Sequence, residues 1–305
     1  MSNDPAINTA LLNFCASLDN GPKNSSNADA PTHRNPEDMQ WLKEALQSVE
    51  APERQVRRLL DTVARDDITE DACAEALEEL SDLVEDINWA IEFSLMNGHK
   101  TILDLLQKGK LAAESAKVRQ NAAMVIAHAA QLNERVQNCF EEAQWQNVLV
   151  PLLEKEESSA VLAALLHSCS CLCRSYAPNA HLFCRAGGVE LVKVLLGTED
   201  TGSPISSRII RRVLFLITYL ADVADFETEG MLRLICKHAK NPDDEVQITA
   251  AQTLTAFTDK SFAVVKRVMC EEAPECLDSW RSRNLEEDDC RKMLINVLDK
   301  EGHEG

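Results

Sequence analysis

The sequence predicts an all-α solenoid. Three observations carry that expectation: a segment that repeats itself, a composition poor in helix breakers, and a lack of strand-like runs. The segment VRQNAAMVIAHAAQLNERVQNCFEEAQWQNVLVPLL (118–153) aligns without a gap with VLAALLHSCSCLCRSYAPNAHLFCRAGGVELVKVLL (161–196). Val118 falls on Val161, Phe140 on Phe183, Ala143 on Ala186, and Leu152 and Leu153 on Leu195 and Leu196, a constant spacing of 43 residues (from 118 to 161). Each copy reads as a long helix, a short helix, a small-residue turn and a helix ending in paired leucines. A third such ending, Leu105 and Leu106 in MNGHKTILDLL, stands 47 residues upstream of the next (from 106 to 153). Gly and Pro number ten each and aromatic residues are 5%. The abundant Ala, Leu, Glu and Gln favour helix throughout. No alternating β-branched run bounded by turns is present, so strands are not expected.

A period of about 40 to 47 residues is that of armadillo and HEAT repeats, in which two or three helices bury their apolar faces only by stacking on neighbours. The expected architecture is therefore an α-solenoid of armadillo-like helical repeats with N- and C-terminal capping helices. With 305 residues and 45% apolar content the chain can supply a substantial core. Three segments are expected: a disordered tail at 1–34, a repeat domain at 35–270, and an acidic capping helix and tail at 271–305.

The tail is rich in Asn, Ser, Asp, Ala and Pro, a composition that cannot bury enough apolar surface to order itself. One apolar island, Leu11-Leu12-Asn13-Phe14, interrupts it. Order is expected from Asn35-Pro36-Glu37-Asp38, where Asn caps, Pro suits the first helical position and the acids complement the helix dipole. Met39, Leu42 and Leu46 then recur at helical spacing. A second amphipathic helix covers about Glu53 to Val63. A third starts near Thr69 and carries Leu77, Leu80, Leu83 and Val84. The helix TILDLLQKG precedes the first copy, and the polar turn GTEDTGSPISS follows the second. IIRRVLFLITYLADVA is apolar enough for a central buried helix. MLRLICKHAK and EVQITAAQTLTAFT continue the pattern around the turn Asn241-Pro242-Asp243-Asp244. Beyond Glu271 acids dominate, as a soluble terminal cap requires.

The net charge of −19 and a pI near 4.8 disfavour nucleic acid or an anionic membrane as partner. The local basic clusters Arg54, Arg57, Arg58 and Arg208, Arg211, Arg212 read as solvated helix faces. No apolar run reaches membrane-spanning length, and the amino terminus is too polar for a signal peptide. Eleven scattered cysteines then read as reduced packing residues of a cytosolic protein.

Cys169-Ser170-Cys171-Leu172-Cys173 resembles a metal site until it is placed on a helix. There i and i+4 share a face while i+2 points nearly opposite, so the three cannot converge on one zinc. His128, His167 and His181 are available as bases, but no glycine elbow, GxxxxGK[ST] loop or strand-borne GxGxxG accompanies them. Neither catalysis nor a cofactor or metal is expected; a solenoid of this kind is expected to bind a partner.

Three stretches resemble one family, the cytosolic armadillo-type nucleotide exchange factors of the seventy-kilodalton heat-shock chaperones (the heat-shock-protein-binding protein one or Fes-one family). NPEDMQWLKEAL (35–46) is similar to its opening helix. ELSDLVEDINWAIEF (79–93) is similar to its leucine-rich helix ending in E-N-x-D-N-A-x-D-F. CLCRSYAPNAHLFCRAGG (171–188) is similar to its S-C-L-[VIL]-R segment and glycine turn. Asn88 and Trp89 depart from the second pattern, which has Asp and Asn there. The resemblance implies a monomeric, non-enzymatic co-chaperone. It would grip the chaperone's nucleotide-binding domain and speed ADP release, with Ala90, Glu92 and Arg174 as contacts. It also implies that Leu11, Leu12 and Phe14 form a release motif that occupies the chaperone's peptide site. The lumenal relatives carry a signal peptide and a retention tail, whereas this chain begins MSNDPAIN and ends EGHEG, so the expected compartment is the cytoplasm, with access to the nucleus. The competing expectation is an armadillo scaffold or peptide adaptor. Of the four tryptophans only Trp280 has the Asn four residues on (Asn284) that a peptide-binding ladder needs.

Overall fold

The structure, a computed structural model, describes residues 52–197, 206–223 and 226–300. The apolar island with Leu11, Leu12 and Phe14, the helix expected from Asn35, residues 198–205 of the turn after the second copy, and the last five residues lie outside the described residues. The chain divides into two units, Met1–Arg58 and Leu59–Gly305. Of the first, only the opening of helix α1 (Pro52–Val63) is described.

The second unit contains only helices among its described residues. Its first repeat comprises α2 (Glu70–Leu83), α3 (Ile87–Leu95) and α4 (Gly98–Lys108), followed by a short connector α5 (Lys110–Glu114). The second comprises α6 (Ala116–Ala130), α7 (Glu134–Glu142) and α8 (Gln146–Lys155), and the third α9 (Ser159–Cys173), α10 (Ala177–Arg185) and α11 (Gly188–Gly197). Both ends of α9 and α10 stand 43 residues after the ends of α6 and α7 (116 to 159, 142 to 185), and both ends of α7 stand 47 after those of α3 (87 to 134, 95 to 142). Then follow α12 (Ser207–Leu220), a 3-10 turn (Ala221–Val223), α13 (Thr228–His238), α14 (Asp244–Glu272), α15 (Pro274–Ser282) and α16 (Cys290–Lys300). The helix α14 is kinked at Ser261 (φ −138°, ψ 32°).

Side-chain caps start the long helices α2, α6 and α14. Thr69 accepts from the Ala72 N–H, Ser115 from Val118 and Asp243 from Glu245, each satisfying an otherwise orphaned donor. The turn between second and third helices recurs with one backbone conformation: Asn97, Gln144 and Gly187 occupy the same place in the three repeats, with φ of 60°, 53° and 87°. A left-handed residue there ends the short helix, and its N–H returns to the carbonyl three residues back (Ser94, Glu141, Cys184). The next residue sits against the repeat's phenylalanine. A Cβ at Gly98 would stand 2.3 Å from the Phe93 ring, and at Gly188 2.4 Å from Phe183. In the middle repeat this place is Trp145, which stacks on Phe183 of the following repeat (centroids 6.3 Å apart, 12° between planes) and donates its Nε1–H to Asn179 Oδ1 at 2.8 Å.

The long helices α2, α6, α9, α12, α14 and α16 pack one on the next in a continuous row. Small residues set their close approach: Ala122, Ala123 and Ala127 on α6 and Ala163, Ala164 and Ser168 on α9 are buried. Polar side chains stitch neighbours together. Asn121 Nδ2 donates to Ala74 O (3.0 Å), the Ser168 hydroxyl lies between Ala123 O (2.6 Å) and its own helix's Ala164 O (2.9 Å), and Thr253 Oγ1 reaches Leu214 O (3.1 Å). These pairings fix the register of one repeat on the next.

The C-terminal segment is more ordered than its charge suggests. Two helices follow Ala273, and Leu277, Trp280, Leu294, Ile295 and Leu298 are buried. The acids sit on the outer faces, which conceals the amphipathic spacing in a plain charge count. Arg291, only 4% exposed, is held by Asp289 (2.7 Å) and Asp244 (2.5 Å).

Candidate functional site

Each interior long helix is covered on two sides by its neighbours, so only a narrow stripe reaches the surface. On α9 that stripe runs through His167 and Arg174, at i and i+7, with Cys171 buried between them. On α12 it runs through Arg208, Arg212, Phe215 and Tyr219, at i, i+4, i+7 and i+11. The intervening Ile209, Ile210, Val213, Leu214, Leu216, Ile217 and Leu220 are buried.

The two stripes meet at two points with the same register, 167 to 212 and 174 to 219. Arg212 Nη1 donates to His167 Nδ1 at 2.8 Å, which fixes that nitrogen as the acceptor and leaves the proton on Nε2. The Arg174 guanidinium lies over the Tyr219 ring, 5.7 Å from its centroid. Cys171 Sγ stands 3.7 Å from His167 Nδ1. Burial first, then the positive charges of Arg212, His128 and Arg208, lower the His167 pKa from 6.5 to about 4, so the imidazole is neutral at physiological pH.

The sequence-predicted contact residues fall in different environments. Ala90 is 1% exposed on α3, and its methyl belongs to the core, so it cannot itself be a contact surface. Glu92, two residues on and so on the opposite side of the helix, is half-buried at the surface. Arg174 is the C-cap residue of α9, where its backbone N–H returns to Ser170 O. Its side chain reaches forward over Tyr219, and among the described residues it makes no bond to the last carbonyls of its own helix. Gln137 Nε2 takes up two of those instead, Cys171 O at 2.7 Å and Arg174 O at 2.9 Å.

Cys169, Cys171 and Cys173 are all buried, and Cys171, at 5% exposure, lies beside His167. Burial raises all three thiols, Cys171 to about 11, so none is a thiolate near neutrality. Among the described residues no three His, Cys, Asp or Glu side chains converge as a metal site would require. His128 lies 3.0 Å from Ser81 Oγ and 3.3 Å from Glu85 Oε1, but both are on Nδ1. A relay needs nucleophile and acid on opposite ring nitrogens. A cleft of about 450 Å³ beside α4 and α5 is lined by Arg65, Asp104 and Lys108 among others. Of the charges around it, Lys108 pairs with Asp104 and Arg65 with Asp67.

The Arg212–His167 bond and the Arg174–Tyr219 contact were not legible in advance. The 208, 212, 215, 219 spacing shows a single face, but which stripe of α9 lies opposite depends on the register between repeats. That register is 45 residues here, as it is between Ala123 and Ser168 in the preceding pair, and differs from the 43-residue offset of the sequence repeat.

No family model and no curated protein matches the sequence. Among solved structures, a designed armadillo repeat protein is similar with a TM-score of 0.65 at 17% identity, covering 82% of this chain and 100% of that one. An engineered protein is similar with a TM-score of 0.66 at 18% identity, over 84% of this chain and 100% of that one. A designed armadillo repeat protein in complex with the peptide (KR)4 is similar with a TM-score of 0.65 at 17% identity, over 82% and 100%. At such identity the likeness concerns the fold, and the fold of this chain is an armadillo-like helical-repeat solenoid.

Proposed function

We propose that this chain is a non-catalytic co-chaperone that binds the nucleotide-binding domain of a seventy-kilodalton heat-shock chaperone and promotes ADP release. The observation that carries the reading is the resemblance of 35–46, 79–93 and 171–188 to the exchange-factor family. The second and third stretches occupy corresponding structural places: 79–93 runs from the end of long helix α2 into α3, and 171–188 from the end of long helix α9 through α10. Glu92 and Arg174 are the proposed contacts, and Ala90 supports them from the core. The N-terminal Leu11, Leu12 and Phe14 aid substrate release by occupying the chaperone's peptide site. No helix among the described residues is long and apolar enough to cross a membrane, and the proposed compartment is the cytoplasm.

The proposed mechanism is thermodynamic. A factor that binds the open arrangement of the chaperone's lobes more tightly than the closed one lowers nucleotide affinity by the same factor that nucleotide lowers its own. Calorimetric titration of the isolated nucleotide-binding domain tests this: binding should be tight without nucleotide and at least about tenfold weaker with saturating ADP. Equal affinity under both conditions, or no binding, would remove the exchange reading.

A second reading, an armadillo adaptor for an extended peptide, draws on the designed relative that holds (KR)4. Under it, Glu75, Glu78 and Asp82, on the exposed side of α2, would take a basic segment.

A further inference from the structure

We infer that the α9–α12 seam is a docking surface for an acidic, carboxylate-rich segment of a partner protein. Several arginines elsewhere in the stack are held by carboxylates: Arg119 by Glu156 (2.7 Å), Arg233 by Glu229 (2.9 Å), Arg291 by Asp289 (2.7 Å), and even Arg211, within the same cluster, by Glu245 (3.4 Å). Arg174, Arg208 and Arg212 have no such partner among the described residues, although the chain carries 50 acids against 31 basic residues. Arg212 instead spends one N–H on a neutral imidazole.

The groups that face this seam from the elements packed around it are Arg208, Arg211, Arg212 and Tyr219 from α12, His167, Cys171 and Arg174 from α9, His128 from α6, and Glu245 from α14. Glu245 is engaged by Arg211, and Asp243, at the start of α14, is held by Ser207 and also acts on Arg211. That leaves Arg208 and Arg212 without a carboxylate partner among the described residues, and beyond burial, which acts first, Arg212, His128 and Arg208 all disfavour protonation of His167. Burial of Arg212 and the nearby Arg208 likewise lower the Arg212 pKa. A carboxylate between Arg208 and Arg212 would relieve that repulsion with charge-assisted bonds. Phe215 and Tyr219, half-buried on the same stripe, would cover the apolar stem of the bound segment.

Charge decides between an acidic segment and a nucleic acid. The rest of the molecule is strongly negative. Screening at physiological salt confines each interaction to about 8 Å, so a short acidic segment sees the patch alone, while a long polyanion also meets the surrounding acids. The surface is thus complementary to the opposite charge from the (KR)4 peptide of the designed relative.

The test uses the full chain and a fluorescein-labelled (Glu-Asp)4 peptide, followed by anisotropy, with no chaperone present, so that its outcome is separate from that of the exchange reading. Saturable binding is expected, weakened about tenfold or more between low and high salt. It should also weaken about tenfold in Arg208→Glu and further in Arg208→Glu with Arg212→Gln, where Gln retains an amide N–H for His167. Unchanged melting of both variants, with unchanged binding of a labelled (Lys-Arg)4 peptide, would locate the effect at the seam. Absence of saturable binding, equal binding by the variants, or tighter binding of a short oligouridylate than of the acidic peptide would overturn the inference.

Discussion

His167 and Arg212, 45 residues apart and on adjacent long helices, share a 2.8 Å hydrogen bond in which the imidazole is the acceptor. The bond exists only while His167 is neutral, and that makes stability depend on pH. The native pKa is about 4 against an ordinary 6.5, so below pH 6.5 the unfolded chain takes up a proton that the native state refuses. Stability is therefore full above about pH 6.5 and falls as the pH drops toward 4. The loss from this group is about 1–2 kcal/mol after allowance for solvent screening. His99, lowered chiefly by burial, adds in the same direction. His167→Gln keeps an acceptor for Arg212 and should flatten the slope of melting temperature against pH across that window. An unchanged slope would deny the native pKa its assigned cause.

The two glycines at the start of α11, Gly187 in the turn and Gly188 as the first helical residue, should fail for different reasons. Gly188→Ala places a Cβ 2.4 Å from the Phe183 ring and should cost about 1–3 kcal/mol through overpacking. Gly187→Ala has open space but a φ of +87°, and should cost about 1–2 kcal/mol from backbone strain alone. Urea denaturation of both separates them. Relief of the Gly188→Ala defect by an added Phe183→Leu, with no relief of Gly187→Ala, would identify the steric term.

Asn179 is fully buried and joins three elements. It accepts from Trp145 Nε1 and donates to Gln137 O (3.1 Å) and Leu172 O (3.0 Å). Asn179→Leu leaves the indole N–H without a partner and removes a donor from Gln137 O and Leu172 O, and should cost about 3 kcal/mol or more. Trp145→Phe strands only one acceptor and should cost about 1–3 kcal/mol. Comparable losses for the two in chemical denaturation would contradict the bridging role.

Thiol accessibility should follow burial. Cys270 is exposed, whereas Cys169 and Cys173 are buried with raised pKa values. Mass mapping after brief iodoacetamide treatment of native protein should find Cys270 modified well before either. Early labelling of Cys169 would mean that α9 opens locally.

The repeat boundaries were legible because Phe140, Phe183 and the paired leucines recur with little change. The αL turn was legible at only one of its three sites. Gly187 announces it, but Asn97 and Gln144 adopt the same φ without glycine, and the neighbouring Trp145 replaces a glycine by packing into the next repeat. Ala90 shows the limit of motif matching, since a matched residue can be small because the core around it leaves no room. The seam at Arg174, Arg208 and Arg212 escaped because a helix-face reading places residues on one helix. Whether a guanidinium finds a carboxylate, an imidazole or a tyrosine ring depends on the neighbouring helix and its register.

The proposed exchange activity is measured most directly by stopped-flow release of a fluorescent ADP analogue from a seventy-kilodalton heat-shock chaperone. With saturating protein the ADP off-rate should rise by about tenfold or more. In Arg174→Glu, which removes a proposed contact while leaving the fold helical by circular dichroism, most of that acceleration should disappear. An off-rate unchanged by saturating wild-type protein would contradict the account and leave the armadillo adaptor reading in its place.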